Sequence, residues 1–430
     1  MVGMPCPHSG GSLPESLSRR SFAKAALAIG GTSALSACLE RRKGTLDVPA
    51  GGDPDALPER QFAWNDALST GPHGNIKLPN HQLLLFLKYR GNAPSASDRD
   101  RVAAAFDAIE RAFQYGTGNE YDATSTQGLL TTIGYSPSYF DRFEARPRAA
   151  PHAPESIVAE LDEDAAVDGY DAALVLTSDE VPVLLAAEQA LRGGFDAVNG
   201  VELTPVIPDV FTVADRRTGF LGVGRPADEL DVDVPDGSPT AMGYRSGFED
   251  NQATEDRVAI TDGPFAEGTT MQVSRLVFSL DDWYDQSEET RVHRMFSPEH
   301  AVEDVGEIGE RLGGQSRIDE ETVADATADA RAHGAVGHTQ KVAAARGDDF
   351  EPTLLRRSEG VSTDLDRPAM NFVSLQQRMA AFLDVRRAMN GDHVDAPVPV
   401  ERDGIRGFVS VRSRGTYLVP PRSKRALPAP

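Results

Sequence analysis

The residues that could carry chemistry are few in kind. Cys6 and Cys38 are the only thiols, and both fall within the first 38 residues. The rest of the chain therefore holds no disulfide, no thiolate metal site, no catalytic thiol and no Cys-x-x-Cys-His attachment for a covalent haem. Nine histidines remain as ligand candidates. No two of them share a ligand-like spacing beyond His333/His338 and His293/His300, which makes a copper or non-haem iron enzyme remote. Carboxylates are abundant, with 66 Asp and Glu against 43 Lys and Arg for a net charge of −23. On composition alone, then, a single carboxylate carries no functional signal. The cations are nearly all arginine, since the lysines are only Lys24, Lys43, Lys77, Lys88, Lys341 and Lys424.

That charge balance also limits partners. So large an acidic surplus repels nucleic acid and anionic lipid, and neither is expected to bind. Dense carboxylates with little lysine suit a halophilic protein, because concentrated salt screens their repulsion within a few ångströms.

The first residues read as an address. Ser18-Arg19-Arg20-Ser21-Phe22-Ala23-Lys24 precedes a mildly apolar run from Ala25 to Ala37. Arg19 and Arg20 ahead of a short, weakly hydrophobic stretch resemble a twin-arginine export signal. About 13 apolar residues are too few to span a bilayer, which takes roughly 20. Leu35-Ser36-Ala37-Cys38 resembles a lipobox, in which Cys38 would be acylated after cleavage. Twin-arginine export carries folded proteins, which suits a cofactor inserted before secretion. The expectation is an extracytoplasmic chain on the outer face of the cell membrane, touching lipid only through its anchor.

The elements that must position any chemistry begin near residue 81. Before them, Gly44 to His81 is rich in Pro, Gly and Asp and reads as a flexible tether. Gln82 to Tyr89 is a short apolar run that predicts a buried strand. Val102, Phe106, Ile109 and Phe113 recur at helical spacing behind Ser97 and Asp98 as candidate caps. Strands are predicted at Leu129 to Tyr135 and Ala172 to Leu176, and a helix at Val181 to Leu191. This order predicts an α+β sandwich of ferredoxin-like type. An acidic loop, Gly222 to Ser238, separates it from a repeat of the pattern. Met271 to Leu280 alternates as a half-buried strand, and Asp281 or Asp282 would cap a helix around Trp283 to Met295. A strand at Asn371 to Leu375, a helix from Gln376 to Met389 and a closing tail at Gly415 to Pro421 complete it. Val302 to Ala335 is acidic with helical character and has no assigned place.

Several segments match one family in order. Leu130-Thr131-Thr132-Ile133-Gly134-Tyr135-Ser136-Pro137-Ser138-Tyr139-Phe140-Asp141 resembles the "vtfGlgpslFd" segment of dye-decolourising (DyP-type) haem peroxidases. Gly247-Phe248-Glu249-Asp250-Asn251 resembles their GxxDG motif with the last Gly replaced, and Gly268 to Trp283 the strand that follows. His338 followed by Leu354-Leu355-Arg356-Arg357 resembles the proximal His and the "iLRR" segment, and Asn371 to Gln376 the "gLlFvsfQ" strand. The resemblance runs from about residue 80 to 421, and Tat-exported deferrochelatase/peroxidase-type proteins belong to the same family.

The resemblance implies a non-covalent haem b with His338 as the axial ligand to iron, His333 being the near alternative. It implies that Asp250, its pKa tuned by burial beside the haem, takes the proton from hydrogen peroxide. Arg356 would offer a fixed charge to the cleaving O–O bond, with Arg357 as rival. Asn251 stands where Gly is usual, and Asn tolerates a left-handed backbone better than most residues. Ser358 is a polar neighbour of Arg356, and Trp283 is expected to pack.

The expected fold is α+β, two ferredoxin-like halves with antiparallel sheets (the dimeric α+β barrel type) enclosing a haem pocket. The expected division is a signal at 1–38, a tether at 39–80, and halves at 81–220 and 221–430. The expected function is an extracytoplasmic haem peroxidase that reduces hydrogen peroxide and oxidises organic donors by one-electron steps. The alternative is a haem-binding or iron-acquisition protein with little peroxidase activity. A lipoprotein that has lost haem stands third, and self-association is left open.

Overall fold

The apolar run after residue 80 is continuous because both faces of its strand are covered. In β1 (His81–Tyr89), Leu83, Leu85 and Leu87 point one way and Leu84 and Phe86 the other. The first set packs under α1 (Ala96–Ala112) through Val102, Phe106 and Ile109, and under α2 (Val181–Arg192) through Leu184 and Leu185. The second set faces Val175, Val273, Val373, Leu375 and Tyr417 in a separate core. A strand buried on both sides shows no polar alternation. This computed structural model describes residues 57–71, 74–117, 126–221, 238, 241–245, 250–312, 320–347, 349–362, 365 and 367–430. Arg19, Arg20 and Cys38, Gly247 to Glu249, and the acidic loop except its end at Ser238 lie outside them.

The second core is the inside of a barrel. The first half runs β1, α1, β2 (Leu130–Tyr135), β3 (Ala172–Ser178), α2 and β4 (Phe211–Phe220). The second half begins with β5 (Thr269–Phe278), followed by the helices α3 (Leu280–Tyr284), α4 (Glu288–Met295), α5 (Glu320–His333) and α6 (His338–Ala344). It ends with β6 (Leu355–Ser362), β7 (Ala369–Gln376), α7 (Met379–Asn390) and β8 (Val409–Val419). The strands hydrogen-bond in the order β5-β7-β6-β4-β1-β3-β2-β8, and β8 returns to β5. Each half thus has the 4-1-3-2 order of a ferredoxin-like sheet. The joins are Val361 to Phe220 and Leu418 to Tyr135, both antiparallel. The two ferredoxin-like halves of the expected α+β barrel thus close into one ring, which leaves these eight strands no free edge.

Other expectations need correction. Ser95, not Ser97, caps α1, accepting from Asp98 N at 3.1 Å, while Asp98 reaches back to Ser95 in a capping box. The single helix expected around Trp283 to Met295 is two, broken after Tyr284 and restarted at the Ser287 cap; Asp281 and Asp282 sit inside the first turn of α3. The stretch read as tether ends by Leu57. Phe62 and Trp64 are buried in the barrel core, and Trp64 Nε1 donates to Gln61 O at 2.9 Å. Strand β4 has no counterpart among the predicted strands, because its Asp215-Arg216-Arg217 centre breaks the apolar pattern. Arg217 is in fact 3% exposed and pairs with Asp168 at 2.8 Å and Asp215 at 2.7 Å.

Candidate functional site

His338 opens α6 at a place only glycine permits. A Cβ on the preceding Gly337 would fall 1.7 Å from the Phe296 carbonyl oxygen, so the helix starts flush against that backbone. Gly337 N donates to Oε1 of the buried Gln340 at 2.8 Å. On the other side Gly404 N donates to Val336 O at 2.7 Å, and Val336 N to Arg402 O at 3.1 Å. One turn on, Lys341 buries its ammonium and donates to Met389 O (2.8 Å), Asp403 O (2.9 Å) and Asp403 Oδ1 (2.7 Å). Burial, and then the charges of Lys341, Arg356 and Arg386, push the His338 imidazole down to about 3. It is neutral at ordinary pH, the state in which imidazole binds a metal. The charged groups that hold it there are all cations.

A bulge in β6 separates the two candidate arginines. Arg356 lies opposite Ser374 and Ser358 opposite Val373, so Arg357 is the extra residue. Arg357 turns into the barrel, where it stacks on Trp64 at 5.2 Å and pairs with Glu255 at 2.5 Å. It also donates to Phe62 O (2.7 Å) and Asn65 Oδ1 (3.1 Å). These contacts tie that side chain into the barrel core. Arg356 remains partly exposed, close enough to His338 to depress its pKa, and its Nη2 donates to Asn251 O at 3.2 Å. Its backbone N is fixed by Gln252 Oε1 at 2.7 Å. Ser358 faces the interior instead, donating to Asn371 O at 2.7 Å.

The turn that carries Asp250 differs from expectation in two ways. The left-handed residue is Asp250 itself, with φ 45°, and not Asn251. Asn251 is held by its backbone, N to Asn75 Oδ1 at 3.0 Å and O to Arg356. Second, the turn is tied to other segments on both sides, and the Asp250 side chain is exposed. Arg346 reaches its carbonyl oxygen at 3.4 Å, and its charge interacts with the Asp250 carboxylate.

Arg356 therefore joins the two parts of the candidate site: it is hydrogen-bonded to the Asp250–Asn251 turn, and its charge acts on His338. Sequence reasoning missed Arg346, Arg386 and Lys341, which surround them and carry no motif. His333 points elsewhere, to Glu299 Oε1 at 2.8 Å. Trp283 packs as expected, fully buried with its ring edge-on to Phe408 at 5.3 Å. The residues present fit a haem in their donor chemistry: His338 offers a neutral imidazole to iron, and the partly exposed Arg346 and Arg356 offer guanidinium donors of the kind a cofactor's carboxylates take. Two small cavities lie elsewhere, one of about 20 Å³ beside Leu57 and Tyr115 and one lined by Trp64, Met271 and Arg357. The first is far below the roughly 300 Å³ of a cofactor pocket, and neither touches His338.

The architecture has close likenesses among solved structures. The Vibrio cholerae dye-decolorizing protein superposes with a TM-score of 0.52 at 14% identity, covering 84% of this chain and 97% of its own. A Rhodococcus jostii DypB variant in complex with heme gives 0.52 at 16% identity, covering 85% and 98%. The encapsulated DyP-type peroxidase of Mycobacterium smegmatis gives 0.52 at 13% identity, covering 82% and 96%. At such identities the likeness establishes the DyP fold. No curated protein matches in sequence. A family model described as DUF7405, a family of unknown function, matches residues 79–421, nearly the whole span of the barrel and its helices, and the chain therefore belongs to that family.

Proposed function

We propose that this chain binds haem b non-covalently on His338 and, with hydrogen peroxide as oxidant, oxidises organic donors one electron at a time. What supports this reading most is a neutral His338 within electrostatic reach of Arg356, which is itself bonded to the Asp250–Asn251 turn, in a chain with the DyP fold. The redox chemistry, reduction of peroxide to water against two one-electron oxidations, would be that of the haem. His338 would hold the iron through its unprotonated nitrogen. Asp250 would accept the proton of peroxide and return it to the departing oxygen. Arg356, anchored by its backbone to Gln252 and by its guanidinium to Asn251, would stabilise the charge that develops as the O–O bond opens. Burial, and then the charges of Lys341, Arg356 and Arg386, keep protons off His338.

The test is the absorbance spectrum of the full chain supplied with haem, with His338→Ala beside it. A Soret band that vanishes or shifts in the variant supports the pocket and its ligand; no band in the parent ends the proposal. Peroxide titration then separates enzyme from carrier. The left-handed backbone at Asp250, rather than at the position the motif gives to glycine, favours the second reading, a haem-binding or iron-acquisition protein with little peroxidase activity. The enzyme reading requires Arg356→Leu to lose most peroxide reactivity while keeping the Soret band.

The address belongs to the same proposal: export through Arg19-Arg20, acylation of Cys38, residence on the outer face of the membrane, and adaptation to high salt. Cys38→Ser should release the chain from the membrane fraction, and Arg19→Lys with Arg20→Lys should retain it inside the cell.

A further inference from the structure

His333 stays out of the haem-side group, and its own surroundings have a different chemistry. It lies in the last turn of α5, four residues after Asp329, so both side chains leave one face of the helix. Glu299, from the turn after α4, closes a third side. One donor atom from each of Glu299, Asp329 and His333 lies within 4.8 Å of the others, and His333 Nε2 is 2.8 Å from Glu299 Oε1. An i, i+4 pair on one helix joined by a donor from another segment is how helices chelate transition ions. Behind the cluster, the buried Gln340 donates from Nε2 to Asp329 Oδ2 at 2.7 Å. A buried group outside the donor set thus aims that carboxylate, the role outer partners play around metal ligands.

We propose that Glu299, Asp329 and His333 form a site for one divalent transition ion of the zinc, cobalt or nickel class. Two carboxylates and a neutral imidazole balance the charge of such an ion and leave further positions to water. The ion takes the place of the hydrogen bond between His333 Nε2 and Glu299 Oε1, and a proton on Nε2 moves to Nδ1 or to solvent. Calcium and magnesium prefer all-oxygen shells and are held more weakly. A bound ion joins the turn after α4 to α5. Through Asp329 and Gln340 it also reaches Gly337 N, the backbone donor just before His338. The site is therefore a clasp on the segment that carries the candidate haem ligand.

The experiment uses the full chain, metal-stripped and without haem, in excess magnesium to occupy the acidic surface. Co²⁺ is followed by its visible absorption and Zn²⁺ by calorimetry. The expected result is one equivalent bound, at least about tenfold more weakly in His333→Ala and in Asp329→Asn. The ion should also raise Tm in the parent and in neither variant. Glu299→Gln, at an exposed position, gives a third variant that folding defects cannot confuse, and circular dichroism checks all three. Affinity equal in parent and variants, or uptake spread over many weak equivalents, overturns the proposal. Because no haem is added, this result stands apart from whether His338 binds haem.

Discussion

Arg356 and Arg357 are neighbours in the chain with opposite tasks. Arg357 is 2% exposed and depends on Glu255, which also accepts from the backbone N–H groups of Trp64 (2.8 Å) and Asn65 (2.9 Å). Removing that carboxylate strands a buried guanidinium, a change of about 3–5 kcal/mol. Glu255→Ala should therefore lower the unfolding midpoint sharply in denaturant, and a variant within about 1 kcal/mol of the parent would refute this pairing. At the Asp250 turn the positive φ sits on Asp250, so glycine at 251 relieves nothing. Asn251→Gly should lose about 0.5–1 kcal/mol through chain entropy and gain no peroxide reactivity. A manyfold gain in stopped-flow peroxide rates would show that Asn251 does restrain the turn. The sequence made His338, Asp250 and Arg356 legible because each lies in a local context. It hid Arg346 and Arg386, which reach the site from other segments and carry no pattern of their own. It also could not separate Arg356 from Arg357, because the bulge that divides them is a property of the pairing with β7.

The elements that hold the site are short, and their contacts are unforgiving. Gly337 is the tightest, with backbone where a Cβ would stand. Gly337→Ala must push α6 away from the Phe296–Ser297 backbone, a strain of about 1–3 kcal/mol or more. The expected outcome is a lower Tm together with a weakened or shifted Soret band. Loss of stability with an unchanged spectrum would mean that α6 does not position the haem ligand. Regular elements were legible where one periodicity ruled, as in β1, α1 and α2. They were obscured where tertiary partners override local signals. Strand β4 hides its charges by pairing Arg217 with Asp168 and Arg216 with Glu188. The break between α3 and α4 follows from a second cap at Ser287, which the alternating polar residues around it mask.

At the scale of the whole molecule, the last residues of the chain belong to its first half. Arg422 and Arg425 both pair with Glu110 of α1, the latter at 2.6 Å. Tyr135 of β2 donates to Arg425 O at 2.6 Å and accepts from Leu427 N at 3.1 Å. Burial alone would raise the Glu110 carboxyl, but Arg425 and Arg422 outweigh it and hold it below its ordinary value. A carboxyl lowered in the folded state adds stability above its unfolded pKa and loses it as pH falls through the folded one. Deleting residues 422–430 removes both arginines and leaves the Thr131 hydroxyl, at 3.2 Å, as a remaining partner of Glu110, so the charges that hold its carboxyl down are gone. This group's contribution to stability above its unfolded pKa is then lost. The truncated chain should be several kcal/mol less stable at pH 7, consistent with a buried pair broken on one side. That deficit should shrink toward pH 4 in urea denaturation measured across pH. A deficit independent of pH would mean that the tail stabilises through the packing of Leu427 and the Tyr135 bonds alone, and that Glu110 is not what the two arginines are there to hold.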